Sequence, residues 1–79
     1  MRISYKKLWK LLIDKNLKRT DLKRLAGISS NSLAKLGKNE DVAMSILRKI
    51  CSVLHCDIGD IMELIESDDV SADAAKQIK

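Results

Sequence analysis

The sequence contains no proline and no phenylalanine, and its only aromatic residues are Tyr5 and Trp9. A hydrophobic core must therefore be built mainly from Leu, Ile, Val, Met and Ala, a mixture that favours helices packing on helices. No segment shows the alternation of β-branched and polar residues that is typical of a strand. These absences predict an all-α fold, and a chain of 79 residues is expected to form one small domain.

Long apolar runs are also missing, because no stretch approaches the roughly 20 residues of a membrane span. The first ten residues carry four basic side chains and do not resemble a secretion signal. We therefore expect a cytoplasmic protein without a membrane partner, whose two cysteines, Cys51 and Cys56, are reduced. With His55 they could ligate a metal, but their spacing matches no common zinc pattern, so we expect no metal and no cofactor. Cys51 is interpreted as a small core residue and His55 as a helix-end residue.

The chain also lacks the groups of residues that enzymes use. It has one histidine, no glycine-rich phosphate loop and no paired nucleophile and base. A domain of this size leaves no room for a sizeable substrate pocket. We therefore expect no enzymatic activity. The scarcity of aromatic residues likewise disfavours RNA recognition through base stacking.

The charges are segregated along the chain. Residues 1–38 carry eleven basic and two acidic side chains, whereas residues 39–79 carry four basic and nine acidic ones. The net charge of +4 conceals this division. A basic half is expected where a protein faces a polyanion, whereas ordinary solvated lysines would not require such a division.

Apolar residues recur at helical spacing in five segments, which predict five helices. The first covers 5–15, the fourth 44–54 and the fifth 58–65, and the second begins at Lys18 or Thr20. The basic first helix could instead lie on a membrane surface, but its broad apolar side favours a place in the core. The helices are expected to form one compact bundle.

The second and third helices are joined by a tight turn. Gly27 ends the second helix where a left-handed residue is needed, and Ser29 caps the third helix. The apolar residues expected to hold the two helices together are Leu22, Ala26, Ile28, Leu33 and Leu36. This arrangement is a helix-turn-helix, and it lies in the basic half of the chain.

Polar residues are dense in the first turn of the third helix, the part of a helix-turn-helix that reaches the edges of DNA bases. Asparagine can bind adenine through two hydrogen bonds, serine can donate or accept, and lysine can reach a guanine or a phosphate. We expect base contacts from three residues: Ser30, Asn31 and Lys35. Three further residues are expected to contact a base or a phosphate: Ser29, Ser32 and Ala34. The alternative explanation is that serine and asparagine are simply favoured at helix N-termini.

Four residues beside the third helix are expected to contact DNA phosphates, which usually receive more contacts than bases do. They are Lys18, Arg19, Lys38 and Asn39. Each has the alternative role of an ordinary surface residue. Every true phosphate contact would add to the salt dependence of DNA binding, because it releases counterions.

Together these features resemble the lambda-repressor and Cro-like helix-turn-helix proteins, also called the xenobiotic-response-element family of small bacterial and phage regulators. The resemblance extends over roughly residues 5–65 and includes apolar residues of the later helices, namely Leu47, Ile50, Leu54, Ile58 and Ile61. It implies a five-helix bundle, a third helix that enters the major groove of double-stranded DNA, and a dimer. Lys23 departs from the family pattern, which usually has a small residue there. Its stem is expected either to reach outward or to alter the crossing of the two helices.

The apolar side of the predicted fifth helix needs a partner, which is the core, a second subunit or both. We expect a homodimer interface formed by Ile58, Ile61, Met62 and Ile65. Residues 1–65 are interpreted as the DNA-binding domain, and residues 66–79 as an acidic linker and tail, in which 71–78 would form two helical turns if it docks.

The function predicted from these observations is that of a sequence-specific DNA-binding transcriptional regulator, expected to be a repressor. The alternative is a protein-binding module, such as an antitoxin or an inhibitor, that uses the same fold. Such a module would hold its protein partner through the acidic C-terminal half. The two functions differ in whether the basic half binds DNA in a salt-dependent manner.

Overall fold

The computed structural model describes residues 1–66 of the chain. In this range the elements are strand β1 (Arg2–Ser4), helices α1 (Lys6–Asp14), α2 (Arg19–Ala26), α3 (Ser30–Gly37) and α4 (Met44–Leu54), a 3-10 helix (Ile58–Asp60) and strand β2 (Glu63–Ile65). The described part is therefore mostly helical, as expected, but it contains four α-helices and two strands, so the prediction of an all-α bundle of five helices needs correction. The helix considered at 71–78 and nearly all of the predicted tail lie outside the described residues.

The two strands pair with each other and are the main departure from the predicted all-α fold. They run antiparallel, and the residues that face one another are Arg2 and Ile65, Ile3 and Leu64, and Ser4 and Glu63. Strands of three residues are too short to show a period-2 pattern in the sequence. The sheet joins the beginning of the described chain to its end.

Residues 58–65 form one 3-10 turn followed by β2 in place of the predicted fifth helix. Asp57 caps the turn as expected, because its Oδ1 accepts the N–H of Ile58 at 2.8 Å. The turn closes where the N–H of Ile61 donates to the carbonyl of Ile58 at 3.1 Å. Residues 63–65 then pair with β1. Their backbone hydrogen bonds therefore go to the neighbouring strand and not to another turn of helix. The apolar spacing of this segment fits a turn and a strand as well as a helix.

The core receives side chains from all four helices and from the segments beside them. Its buried hydrophobic residues are Tyr5, Leu8, Leu12, Leu22, Ala26, Ile28, Leu36, Leu47, Ile50, Leu54 and Ile61. α2 packs against both α3 and α4. Of the five residues expected to hold the helix-turn-helix together, four belong to this core and Leu33 packs half-buried against it. The prediction for the interior of the motif is confirmed.

The helix ends follow the local sequence. Gly27 ends α2 with a φ of 66°, the left-handed conformation that glycine adopts without strain. His55 ends α4 in the same region with a φ of 53°, so it is the helix-end residue that was expected. At the start of α2, Lys18 offers no side-chain cap, and its backbone N–H instead donates to Asp21 Oδ2 at 2.9 Å.

Two further expectations concern membranes and metals. None of the helices in residues 1–66 is long and apolar enough to cross a membrane. In the same range, no three His, Cys, Asp or Glu side chains are grouped so that they could hold a metal ion. Burial raises the pKa of the Cys51 thiol and raises that of Cys56 to about 11, so both thiols are protonated at neutral pH.

Candidate nucleic-acid interface

The turn between α2 and α3 is fixed by one backbone conformation and one buried side chain. Gly27 turns the chain out of α2, and the N–H of Ile28 donates back to the carbonyl of Lys23 at 3.2 Å. Ile28 is buried, so it anchors the turn in the core. Ser29 then caps α3, because its Oγ accepts the N–H of Ser32 at 3.1 Å. The helix-turn-helix predicted from the sequence is present.

The first turn of α3 presents short polar side chains at the surface. Ser30 and Asn31 are exposed, and Ser32 is half-buried. The hydroxyl of Ser29 donates to Ser32 Oγ at 3.1 Å, in addition to accepting the N–H of Ser32. Ser29 is therefore engaged within the helix as its cap, whereas Ser30 and Asn31 face outward.

The second turn of α3 adds one small and one basic side chain. Ala34 is exposed, and Lys35 is half-buried on the same helix. The residues predicted to read DNA bases thus lie within seven consecutive positions, 29–35, on one capped helix. Their solvent access agrees with a surface role, and their individual contacts to DNA stay predictions.

Lys23 extends from α2 to the start of α3. Its Nζ donates to Ser30 Oγ, with a nitrogen-to-oxygen distance of 2.6 Å, while the residue as a whole is half-buried. The stem therefore reaches outward, which is the first of the two arrangements expected for a lysine at this place. The sequence pattern assigns Lys23 no part in DNA binding, although its departure from the usual small residue marks the position.

Arg19, at the start of α2, stacks on an aromatic ring of α1. Its guanidinium carbon lies 3.9 Å from the centroid of the Trp9 ring, which is a cation–π contact. Gly37, the last residue of α3, leaves room for this guanidinium, because a Cβ at Gly37 would lie only 3.2 Å from Arg19 Nη1. Trp9 lies on α1, whose apolar side is expected in the core, and no local spacing relates it to Arg19.

The other predicted phosphate contacts lie at the two ends of the helix-turn-helix. Lys18 is exposed just before α2, and Lys38 is exposed just after α3. Asn39 is exposed with a φ of 58°, and its Oδ1 accepts the N–H of Tyr5 at 3.0 Å. The amide oxygen of Asn39 is therefore engaged within the fold. A phosphate contact by this residue would use its amide nitrogen, which is a donor.

Tyr5 holds the loop after α3 from inside the core. Its hydroxyl donates to the carbonyl of Glu40 at 2.9 Å, one residue beyond the bond that its N–H makes with Asn39. Burial of the ring, and secondarily the negative charge of Asp41, raises the pKa of Tyr5 above its ordinary value of 10.0. Protonated Tyr5 is thus the form that connects α1 to this loop.

The four residues predicted for a dimer interface do not form one continuous exposed surface. Ile61 is fully buried in the core of its own chain, because the 3-10 turn directs it inward, and its assignment to a dimer surface is wrong. Ile58 and Met62 are half-buried and line an open, mostly apolar groove of about 510 Å³, together with residues that include Ile3 and Met44. Ile65 lies half-buried in β2. The existence of a dimer stays a prediction.

Comparison with known families identifies the domain that carries this helix-turn-helix. The sequence model of the Cro/C1-type HTH DNA-binding domain matches residues 7–67, a range that begins within α1 and includes β2. The chain belongs to the Cro/C1-type helix-turn-helix family. This match confirms the resemblance to the Cro-like family that was inferred from the turn residues and the apolar spacing.

The Cro/C1-type chain is also similar to the transcriptional regulator VanUg, whose crystal structure is known. The two sequences are 50% identical, the match covers 84% of this chain and 88% of the VanUg chain, and the TM-score is 0.81. No curated protein matches the chain significantly. The family and the fold are those of DNA-binding transcriptional regulators.

Proposed function

We propose that the protein is a sequence-specific transcriptional regulator that inserts α3 into the major groove of double-stranded DNA. The observation that carries this proposal is the exposed first turn of α3, where a capped helix presents Ser30 and Asn31. An α-helix is about 10 to 12 Å across, which fits the major groove, and its N-terminal turn meets the base edges. Membership of the Cro/C1-type family and similarity to a transcriptional regulator support the same function.

The residues on or beside α3 that are predicted to contact DNA have separate roles in this proposal. Asn31 binds N6 and N7 of an adenine together, Ser30 bonds to the edge of one base, and Lys35 reaches a guanine or a phosphate. Ala34 meets a thymine methyl group, and Ser32 contacts a base or a phosphate. Ser29 contributes mainly as the cap that orients the helix.

Phosphate contacts position α3 in the groove and supply most of the affinity for DNA of any sequence. Arg19 is the best placed of the proposed contacts, because its stacking on Trp9 restricts the guanidinium before DNA arrives. Lys18, Lys38 and Asn39 are the others. The excess of basic residues in positions 1–38 supports this arrangement.

The proposal includes a two-fold homodimer that binds half-sites about 34 to 36 Å apart and represses transcription by occupying its operator. The apolar groove that includes Ile58 and Met62 is the surface on which a second copy would pack. Met44 is 60% exposed at this groove, which leaves apolar area for a partner to cover. Such a regulator, encoded by a bacterium or by a phage, would act in the cytoplasm, where its DNA target lies.

A protein-binding module is the second candidate, and the same groove favours it. An open apolar groove is a feature of surfaces that bind other proteins. In this case the acidic C-terminal half would hold a protein partner, and the basic half would have no preferred DNA sequence. The fold alone is compatible with both candidates.

Selection of bound sequences from a pool of random DNA duplexes, repeated at two salt concentrations, separates the two candidates. A DNA-binding regulator enriches one motif at both concentrations, and its affinity falls as the salt rises. The protein-binding module enriches no motif. That second outcome would contradict the proposed function.

A further inference from the structure

The contact between Lys23 and Ser30 restricts what the Ser30 hydroxyl can do. A serine hydroxyl has one hydrogen to donate and two lone pairs that accept. Lys23 Nζ, an ammonium group that can only donate, lies 2.6 Å from Ser30 Oγ and occupies one of those lone pairs. A hydrogen bond from a charged donor is among the stronger ones, and the positive charge repels the hydroxyl hydrogen. The hydrogen of Ser30 therefore points away from Lys23.

From this geometry we infer that Lys23 is a positioning residue that fixes Ser30 as a hydrogen-bond donor toward DNA. In the major groove, guanine offers only acceptors, N7 and O6, and thymine offers the acceptor O4, whereas cytosine offers the donor N4 and adenine presents a donor beside its acceptor. Ser30 held in this way favours a keto base, guanine or thymine, because its hydrogen points outward and its remaining lone pair lies beside the Lys23 ammonium. This inference rests on the proposed function, because it assumes that Ser30 faces a base.

The neighbouring serine of the same turn shows why the assignment is specific to Ser30. The hydroxyl of Ser29 donates to Ser32 Oγ and accepts the N–H of Ser32, so its hydrogen is already used inside the helix. Ser30 is exposed, and its bond to Lys23 leaves its hydrogen free for DNA. The two adjacent serines therefore have different tasks, capping for Ser29 and donation to a base for Ser30.

The experiment first selects bound sequences with the full chain and with Ser30→Ala, so that the base position whose preference changes is the one that Ser30 reads. Binding is then measured on four duplexes that differ only at that position. The variants are Lys23→Met, which keeps the stem length, Lys23→Ala, which is small, and Lys23→Arg, which restores a charged donor. Lys49→Met, which removes one exposed charge from α4, is the control, and thermal unfolding checks the fold of each variant.

We expect the full chain to prefer guanine or thymine at this position by about fivefold, the size of one hydrogen bond. Lys23→Met and Lys23→Ala should reduce this preference to less than about twofold, because a hydroxyl without the neighbouring ammonium can turn either its hydrogen or its lone pairs toward the base. Lys23→Arg and Lys49→Met should retain it. In a Ser30→Ala background, Lys23→Met should have no further effect on base preference, since Lys23 acts through Ser30.

Several results would overturn the inference while leaving the proposed function in place. One is an enriched motif with adenine or cytosine at the Ser30 position, and another is a motif that Ser30→Ala does not change. A third is an equal loss of affinity by Lys23→Met on all four duplexes and on random DNA, which would make Lys23 a phosphate contact. If the full chain enriches no motif at all, the proposed function and this inference fall together.

Discussion

The guanidinium carbon of Arg19 lies 3.9 Å from the centroid of the Trp9 ring, so the first residue of α2 is held on the face of α1. A cation above an aromatic ring at this distance is attracted by the electrons of the ring. The contact reduces the number of conformations that Arg19 can adopt. An arginine held in this way loses less entropy when it binds a phosphate.

Replacement of Arg19 by Gln should weaken binding to the selected operator and to random DNA by the same factor. The slope of log K against log salt should become shallower by about 0.9, the contribution of one phosphate contact. Equilibrium binding at several salt concentrations measures both quantities. Lys49→Gln, on the exposed side of α4, serves as the matched control and should leave the slope unchanged. A loss confined to the operator would show that Arg19 reads a base.

Gly37→Ala should separate stability from DNA affinity. Alanine is favoured over glycine in a helix by up to about 1 kcal/mol, so the free energy of unfolding should rise or stay level. The new Cβ would lie 3.2 Å from Arg19 Nη1, and the flexible end of Arg19 must shift to relieve the crowding. Because the shift leaves the guanidinium less restricted before it binds a phosphate, DNA affinity should fall, by no more than about fivefold, the upper value of an exposed cation–π contact. Chemical denaturation and DNA binding test the two effects, and a variant that binds DNA with full affinity would contradict the role given to the stack.

Tyr5→Phe should remove a pH dependence from the stability of the domain. The pKa of Tyr5 is raised above 10.0 in the folded state, because the fold favours the protonated phenol. The resulting stabilisation is fully present below pH 10.0, and it is lost as the pH rises through the pKa of the folded protein. At neutral pH, Tyr5→Phe should cost about 1 kcal/mol, because the hydrogen bond to the carbonyl of Glu40 is lost. The difference in unfolding free energy between the two proteins should narrow above pH 10.0.

The pH titration has an internal check, because the chain contains a single tyrosine. Its ionisation can be followed by ultraviolet absorbance and should have a midpoint above 10.0 in the folded protein. The thiols titrate in both proteins, so their contribution cancels in the comparison. A midpoint at or below the ordinary value would contradict the buried, hydrogen-bonded position of Tyr5.

The helix-turn-helix could be predicted from the sequence because its signals are local. Gly27 is needed for a left-handed turn, Ser29 is a favoured cap, and Ile28 lies between them as a buried anchor. These residues are close in sequence and act on the backbone beside them. The core of the motif and its exposed first turn follow from that geometry.

The features that were missed depend on contacts between distant parts of the chain. β1 and β2 pair the two ends of residues 1–66, and three-residue strands carry no periodic signal. Ile61 lies inward directly after a 3-10 turn, which stands in place of the predicted fifth helix and leads into β2. Trp9 beneath Arg19 is likewise a tertiary contact between two helices. Spacing along one helix cannot indicate such pairs.

Dimer formation should be visible by sedimentation at micromolar concentration. A two-fold dimer would protect two half-sites about 34 to 36 Å apart, because the two copies of α3 enter successive turns of the major groove. Met44→Glu, at the exposed edge of the apolar groove, should shift the protein to monomers and reduce operator affinity. Leu64→Glu is the control, because Leu64 is an apolar residue that is exposed on β2 but does not line the groove. A monomer that binds a single half-site would contradict the proposed assembly.

The most direct test of the central claim, that α3 reads the sequence of double-stranded DNA, is the binding of Asn31→Ala to the selected operator and to random duplex DNA at one salt concentration. Ser45→Ala, at the equivalent second position of α4, is the matched control and should bind both DNAs as the unaltered protein does. Asn31→Ala is predicted to lose about 1 to 3 kcal/mol on the operator and almost nothing on random DNA. Equal losses on both DNAs, or no loss on either, would contradict the claim.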